Sequence, residues 1–120
     1  MKIAIPSEGQ MLESPVCRSF GRTLYFIVVD TDTDKFQVID NKAAAEQGGA
    51  GIKAAQTIAD SGAQAVVVFH CGQNAADVLK AADIQLWKAV PGTIAENIEK
   101  FRKGELGRLG EIHPGFHGGQ

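Results

Sequence analysis

A chain of 120 residues, with 12 basic and 14 acidic side chains and a formal net charge of −2, fits one domain with a core large enough to need no staples. That balance argues against general affinity for nucleic acid or anionic membrane surfaces. No apolar run reaches the length of a membrane span, and MKIAIPSEGQ meets Pro6 and polar residues too soon for a signal peptide, so a cytoplasmic protein with free thiols at Cys17 and Cys71 is expected.

Lys2–Ile5 (KIAI) reads as a first strand that stops at Pro6. Residues 6–23 are rich in Pro, Ser, Gly and charge and read as a long loop, a length that in compact domains is usually functional or mobile. Leu24–Val29 is a continuous apolar run, the pattern of a central buried strand, and Phe36–Ile39 completes a hairpin across an Asp-rich turn. Residues 41–51 form a second Gly/Ala-rich loop, and Ile52–Ser61 is predicted helical, with Ile52, Ala55, Ile58 and Ala59 on one face and Gly62 at its C-terminal end. Ala65–Phe69 is a fourth, wholly apolar strand. Asn74 is placed to cap the next helix, whose apolar stripe is Ala75, Val78, Leu79 and Ala82. Ile84–Trp87 is a fifth strand. Thr93-Ile94-Ala95-Glu96 is a capping box, with Ile94, Ile98 and Phe101 behind it and Gly104 as the stop.

The order β-β-β-α-β-α-β-α puts a hairpin before βαβ units. With right-handed crossovers it gives an α/β layered domain over residues 1–106, a mixed five-stranded sheet with three helices in a ribonuclease H-like arrangement. Residues 107–120 (GRLGEIHPGFHGGQ) read as a flexible Gly/His tail.

Strands one and four are expected as parallel neighbours, and ligand sites in α/β sheets lie beyond the carboxyl ends of such strands. The loop after strand one carries Cys17, Arg18, Ser19, Phe20, Gly21 and Arg22; the loop after strand four carries His70, Cys71 and Gly72. With the 41–51 loop and the Lys88–Gly92 loop, four loops converge on one edge. Three helix N-termini then aim free N–H groups and positive dipole ends at one place, an anion site in outline. Arg18, Arg22, Lys42, Lys53 and Lys88 are candidates to add charge, and a tail spanning at most about 55 Å can bring His113 and His117 back over the site.

Several motifs read in more than one way. His70-Cys71 suits soft metal ligation, yet Cys71 equally suits a small buried hydrophobe and His70 a solvated loop edge. A Cys/His nucleophile pair is disfavoured, since neighbours on a strand face opposite sides. Cys17 can meet Cys71 to make a thiolate pair or remain a surface thiol. Gly49-x-Gly51-x-x-Ala54 mimics a dinucleotide fingerprint, but a long loop separates it from the preceding strand, and no acid lies about twenty residues on. Asp30-x-Asp32-x-Asp34 mimics the start of a calcium loop, but the sixth position is Lys35 and the twelfth Asn41, so a hairpin turn is the better reading. No acid–base pair stands out, and the strand KIAI lacks the carboxylates a two-metal nuclease needs.

Taken in order, KIAIPSEG, Phe20-Gly21-Arg22, GGAGIKAAQ (Gly48–Gln56), VVVFHCGQNAADVL, Pro91–Thr93 and Gly104-Glu105-Leu106 resemble the dinitrogenase iron–molybdenum cofactor biosynthesis family over roughly residues 1–107. The resemblance implies a ribonuclease H-like fold and binding or shuttling of metal–sulfur clusters without catalysis. The implied cofactor is a molybdenum-containing cluster, either a molybdenum–copper sulfide held non-covalently or an iron–molybdenum type. Cluster-donor or cluster-acceptor proteins are the implied partners, with the chain a monomer or weak oligomer. The site implied comprises Arg18, Ser19, Phe20, Gly21, Arg22, Gly48, Gly49, Gly51, His70, Cys71, Gly72 and Asn74, with Cys17, His70, Cys71, His113 and His117 as candidate direct ligands. Two positions depart from the family pattern: Ser19 stands where many relatives have His, and Cys71-Gly72-Gln73 replaces a frequent Ile-Gly-Pro. The rival reading is a thiol-dependent metallochaperone or redox protein using Cys17 and Cys71.

Overall fold

A computed structural model describes residues 1–42 and 48–110. The elements are β1 (Lys2–Ser7), β2 (Tyr25–Asp30), β3 (Phe36–Asp40), α1 (Ala50–Asp60), β4 (Ala65–Val68), α2 (Gln73–Ala81), β5 (Gln85–Lys88) and α3 (Ile94–Arg102). They build a mixed five-stranded sheet in the order β3-β2-β1-β4-β5. β2 is antiparallel to both β1 and β3, while β4 is parallel to β1 and to β5. β1, β3, β4 and β5 therefore run the same way, and all three helices start at the same sheet edge.

The two-residue period of the strands sorts the core into two layers. Ala4, Phe26, Val28, Val66 and Val68 face one side and pack with Ala54, Ala55 and Ile58 of α1 and Ala75, Ala76 and Leu79 of α2. Ile3, Ile5, Ile27, Val29, Ala65 and Val67 face the other and pack with Ile94 and Ile98 of α3. A one-residue slip of β1 against β2, which are in register from Lys2↔Asp30 to Ser7↔Tyr25, would exchange these layers.

Several boundaries differ from the sequence reading. β1 continues through Pro6 to Ser7. It pairs with β4 only at Ile3 and Ala4, so at Pro6 no ladder bond on that side is forfeited, and the Pro6 carbonyl accepts the Cys17 N–H at 2.9 Å. Leu24 lies outside β2 and is 60% exposed. The 6–23 segment is not a loose loop. It folds back on β1 through a Ser7↔Val16 bridge and reaches α3 through a Pro15↔Thr93 bridge. The Asp-rich segment is a turn: Asp30 accepts the Asp32 N–H at 2.9 Å, Asp34 has φ 66°, and Arg102 of α3 pairs with Asp34. The hydrogen bond from Asp32 holds the Asp30 carboxyl below its ordinary pKa.

Residues 107–109, expected as part of the tail, are held against the sheet. Lys88 donates to the Gly107 carbonyl at 2.8 Å and Leu109 to the Leu86 carbonyl at 3.0 Å, so residues 107–109 run antiparallel along β5. Those bonds cover a strand edge that would otherwise stand open. His113 and His117 lie outside the described residues.

Candidate functional site

Three helices start at one edge, but they do not end alike. α3 is sealed. Thr93 and Glu96 form the expected capping box, with the Glu96 N–H donating to Thr93 Oγ1 at 3.1 Å and the Thr93 N–H to Glu96 Oε1 at 2.8 Å. The Ile94 and Ala95 N–H groups donate to the carbonyls of Ser14 and Leu12 at 2.9 and 2.8 Å. Buried Asn97 braces the turn before the helix, accepting from the Val90 N–H and donating to the Val90 and Thr93 carbonyls, all at 2.9–3.0 Å. The expectation that three N-termini serve the site is corrected here: α3 has spent its donors on its own chain.

α1 and α2 are open. Their N-caps are Gly49 and Gly72, and neither end has a side-chain cap. Asn74, expected as the cap of α2, instead lies within its first turn. The first-turn N–H groups Ala50, Gly51 and Ile52, and Gln73, Asn74 and Ala75, have no hydrogen-bond acceptor among the described residues. The two ends are brought side by side by small residues: a Cβ on Gly51 would sit 3.5 Å from the Ala75 Cβ. Gly49 takes φ 70°, a left-handed conformation that glycine adopts without steric cost.

The Ser19–Arg22 turn closes the third side. The Arg22 N–H donates to Ser19 Oγ at 3.0 Å. The Phe20 ring is buried against Phe26, with centroids 5.3 Å apart. Gly21 lies flat on the start of α1, where a Cβ would meet the Gly51 N at 3.0 Å and its Cα at 3.1 Å, so a side chain there would displace backbone. Asn41, at the end of β3, holds the turn from below through Nδ2, which donates to the Gly21 and Thr23 carbonyls at 3.0 and 2.8 Å.

These parts enclose a cleft of about 770 Å³. Of the residues expected from the sequence, Arg18, Ser19, Phe20, Gly21, Gly49, Gly51, His70, Gly72 and Asn74 line it. Ala50, Ile52, Gln73 and Ala75 also line it and were missed, because what they present is backbone or apolar surface, which carries no motif. Arg22, Gly48 and Cys71 do not line it, nor do Lys42 and Lys53. Lys88 lines a different cleft. The lining holds one guanidinium and one imidazole and no carboxylate. Arg18 is fixed by lying over the Phe69 ring, 4.7 Å from its centroid.

The cysteines do not fit the ligand role. Cys71 is 1% exposed and packs in the α1/α2 core layer with Phe20 and Ala75. Burial pushes its thiol up from the ordinary 9.0 to about 11, and the side chain does not line the cleft. The expectation that Cys71 is a ligand or site residue is corrected to packing: the chain turns after Phe69 and folds the side chain under the start of α2. Cys17 is half-buried, its N–H spent on Pro6. Among the described residues, no three His, Cys, Asp or Glu side chains group to hold a metal ion. What the cleft offers is two bare helix ends, a fixed guanidinium and apolar walls, which suit an anion that brings its own internal bonding.

The dinitrogenase iron-molybdenum cofactor family matches residues 1–104. The apo form of the orange protein from Desulfovibrio gigas is similar in structure, with a TM-score of 0.87 at 32% identity over 91% of this chain and 92% of that one. A Thermotoga structure described as a NifB protein has a TM-score of 0.82 at 34% identity, covering 95% of this chain and 98% of that one. An uncharacterised protein of Methanocaldococcus jannaschii is 34% identical over 109 residues, 88% of this chain and 89% of its own length. Among the described residues, no helix is long and apolar enough to cross a membrane.

Proposed function

The chain belongs to the dinitrogenase iron-molybdenum cofactor family, and from that premise we propose that it carries an anionic molybdenum-containing metal–sulfur cluster, of the molybdenum–copper sulfide or iron–molybdenum type, held non-covalently and passed between donor and acceptor proteins. We read the fold as ribonuclease H-like, supported by the order β3-β2-β1-β4-β5 with β2 alone reversed. The observation that carries the proposal is the cleft between the uncapped starts of α1 and α2, with Arg18 beside it and no carboxylate in its lining. A sulfide cluster satisfies its own metals and presents negative charge outward. Backbone N–H groups and a guanidinium meet that charge without forming a metal bond.

The reading is non-enzymatic. The described lining holds one imidazole and no carboxylate or thiol, so the cleft itself lends general acid–base chemistry little support. A thiol-dependent carrier has less support, because Cys71 is buried in the core and does not line the cleft.

The experiment is anaerobic purification of the wild type and the Cys17→Ser/Cys71→Ser double variant, with metal and sulfide analysis and a visible spectrum. Equal molybdenum, second metal and sulfide in both supports non-covalent carriage. Metal lost only from the double variant means thiolate ligation. A wild type that is metal-free and takes up no cluster when offered one removes the proposal.

A further inference from the structure

A second cleft, of about 550 Å³, opens at the same sheet edge beside the first, where β4, β5 and the 107–110 segment meet. Arg18, Lys88 and Arg108 line it against walls that include Phe69, Pro91 and Leu109, and its described lining contains no carboxylate. Neither α1 nor α2 contributes to it. We propose that this cleft is a second anion site, sharing Arg18 and His70 with the first and adding Lys88 and Arg108, for a small polyanion bearing two or more carboxylate or phosphate groups.

Its two guanidinium groups are set in place. Arg18 lies over Phe69 at 4.7 Å from the ring centroid, and Arg108 lies over Trp87 at 4.9 Å. Stacking uses the face of a guanidinium and leaves its N–H edges to donate, the orientation that meets a carboxylate or phosphate two bonds at a time. The backbone beneath is equally fixed: the Trp87↔Arg108 bridge lies between the Lys88–Gly107 and Leu109–Leu86 hydrogen bonds of 2.8 and 3.0 Å. Trp87 itself is held by an edge contact to Phe101 with centroids 5.7 Å apart.

Arg102, at the end of α3, shows what this chain does when an arginine serves structure. Arg102 donates to the Thr31 carbonyl and pairs with Asp34 and Glu99. Arg18, Lys88 and Arg108 have no such side-chain hydrogen bond or ion pair among the described residues. Three cations gathered at one cleft with no counter-ion among the described residues repel one another, in a chain whose net charge is −2. A bound polyanion relieves that repulsion. The volume is that of a small-molecule site and larger than one oxyanion needs, which points to a ligand with several anionic groups.

The test is calorimetric titration of the apo full-length chain at constant ionic strength with pyrophosphate, citrate and, as a single-charge control, acetate. Saturable binding of pyrophosphate or citrate and none of acetate is expected, and which polyanion binds tells a phosphate-bearing ligand from a polycarboxylate. Lys88→Ala and Arg108→Gln should each weaken it about tenfold, the loss of a charge-assisted contact. Lys35→Ala, on β2–β3 hairpin residues far from the cleft, should leave it unchanged. Lys88 is exposed, so its variant keeps the test decisive even if Arg108→Gln lowers stability. Absence of saturable binding, binding indifferent to both variants, or binding of a hexaglutamate peptide but of neither small polyanion overturns the proposal.

Discussion

The starts of α2 and α3 lie at the same edge of one sheet, each following a strand of similar length, yet they are finished in opposite ways. α3 has a capping box, two carbonyls from the 12–14 segment and the buried Asn97 brace. α2 has Gly72 and nothing else. Four unsatisfied N–H groups at a helix start normally find caps or water, and this chain plainly has the means to supply caps. On the function proposed above, an end left bare beside a second bare end, with a cleft between them, is where the ligand is held. On that proposal the sealed end belongs to folding and the open ends to binding.

That division can be broken by substitution. The largest effect is expected at the sealed end. Asn97→Ala strands the Val90 N–H and carbonyl and empties a buried position, while the Thr93 carbonyl keeps the backbone N–H of residue 97, and it should lower stability by roughly 3 kcal/mol in denaturant unfolding. Cluster uptake by the folded fraction should not change, and a matching loss of uptake would erase the division.

A smaller effect is expected beneath the open end of α2, where Cys71 lies. Its folded pKa is raised above its unfolded value, so the protonated form is favoured by folding. Stability should be level below about pH 9 and fall, by at most about 2 kcal/mol, as pH rises toward 11 and the unfolded thiol ionises first. Cys71→Ala should lack this alkaline slope. In the wild type at pH 8, a thiol reagent should label Cys17 and spare Cys71 until the protein is unfolded. Ready labelling of both would restore Cys71 as a candidate ligand.

The smallest effect is expected from Thr93→Ala, which removes the side-chain half of the capping box. A loss of about 1 kcal/mol in unfolding, with cluster uptake intact, is the expected outcome.

Much of this was legible in the residues. The alternation of Ile3, Ala4 and Ile5, and the unbroken Val66–Val68 run, specify central strands, and Thr93-Ile94-Ala95-Glu96 specifies a capped helix, because each signal is local and has a fixed period. The Phe20-Gly21 and Gly49–Gly51 elements were marked as site residues, although the contact that makes glycine necessary at Gly21 lies across thirty residues of chain, at Gly51. What could not be read locally is which helix ends are closed. α3 is sealed by Leu12 and Ser14, residues some eighty positions away that resemble any polar loop. The direction of Cys71 was equally hidden, since a thiol after a strand suits a core or a ligand until the turn that follows is known. The place of Lys88 is hidden as well, since it depends on the 107–109 segment beside β5, which reads as an unstructured tail.

The measurement that bears most directly on the open ends is cluster uptake by Gly72→Asp, with Gly72→Ala as control. Gly72 has φ −68° and ψ 159°, open to any residue, and a Cβ there meets nothing within 4 Å. Asp gives α2 the cap it lacks and sets a carboxylate where the anion is held, so the apo protein should gain a few tenths of a kcal/mol. After anaerobic reconstitution with tetrathiomolybdate and copper(I), the visible absorption and bound molybdenum of Gly72→Asp should fall about tenfold or more, while Gly72→Ala stays near wild type. Full uptake by a well-folded Gly72→Asp would contradict the account, because it would place the cluster somewhere other than the bare helix ends.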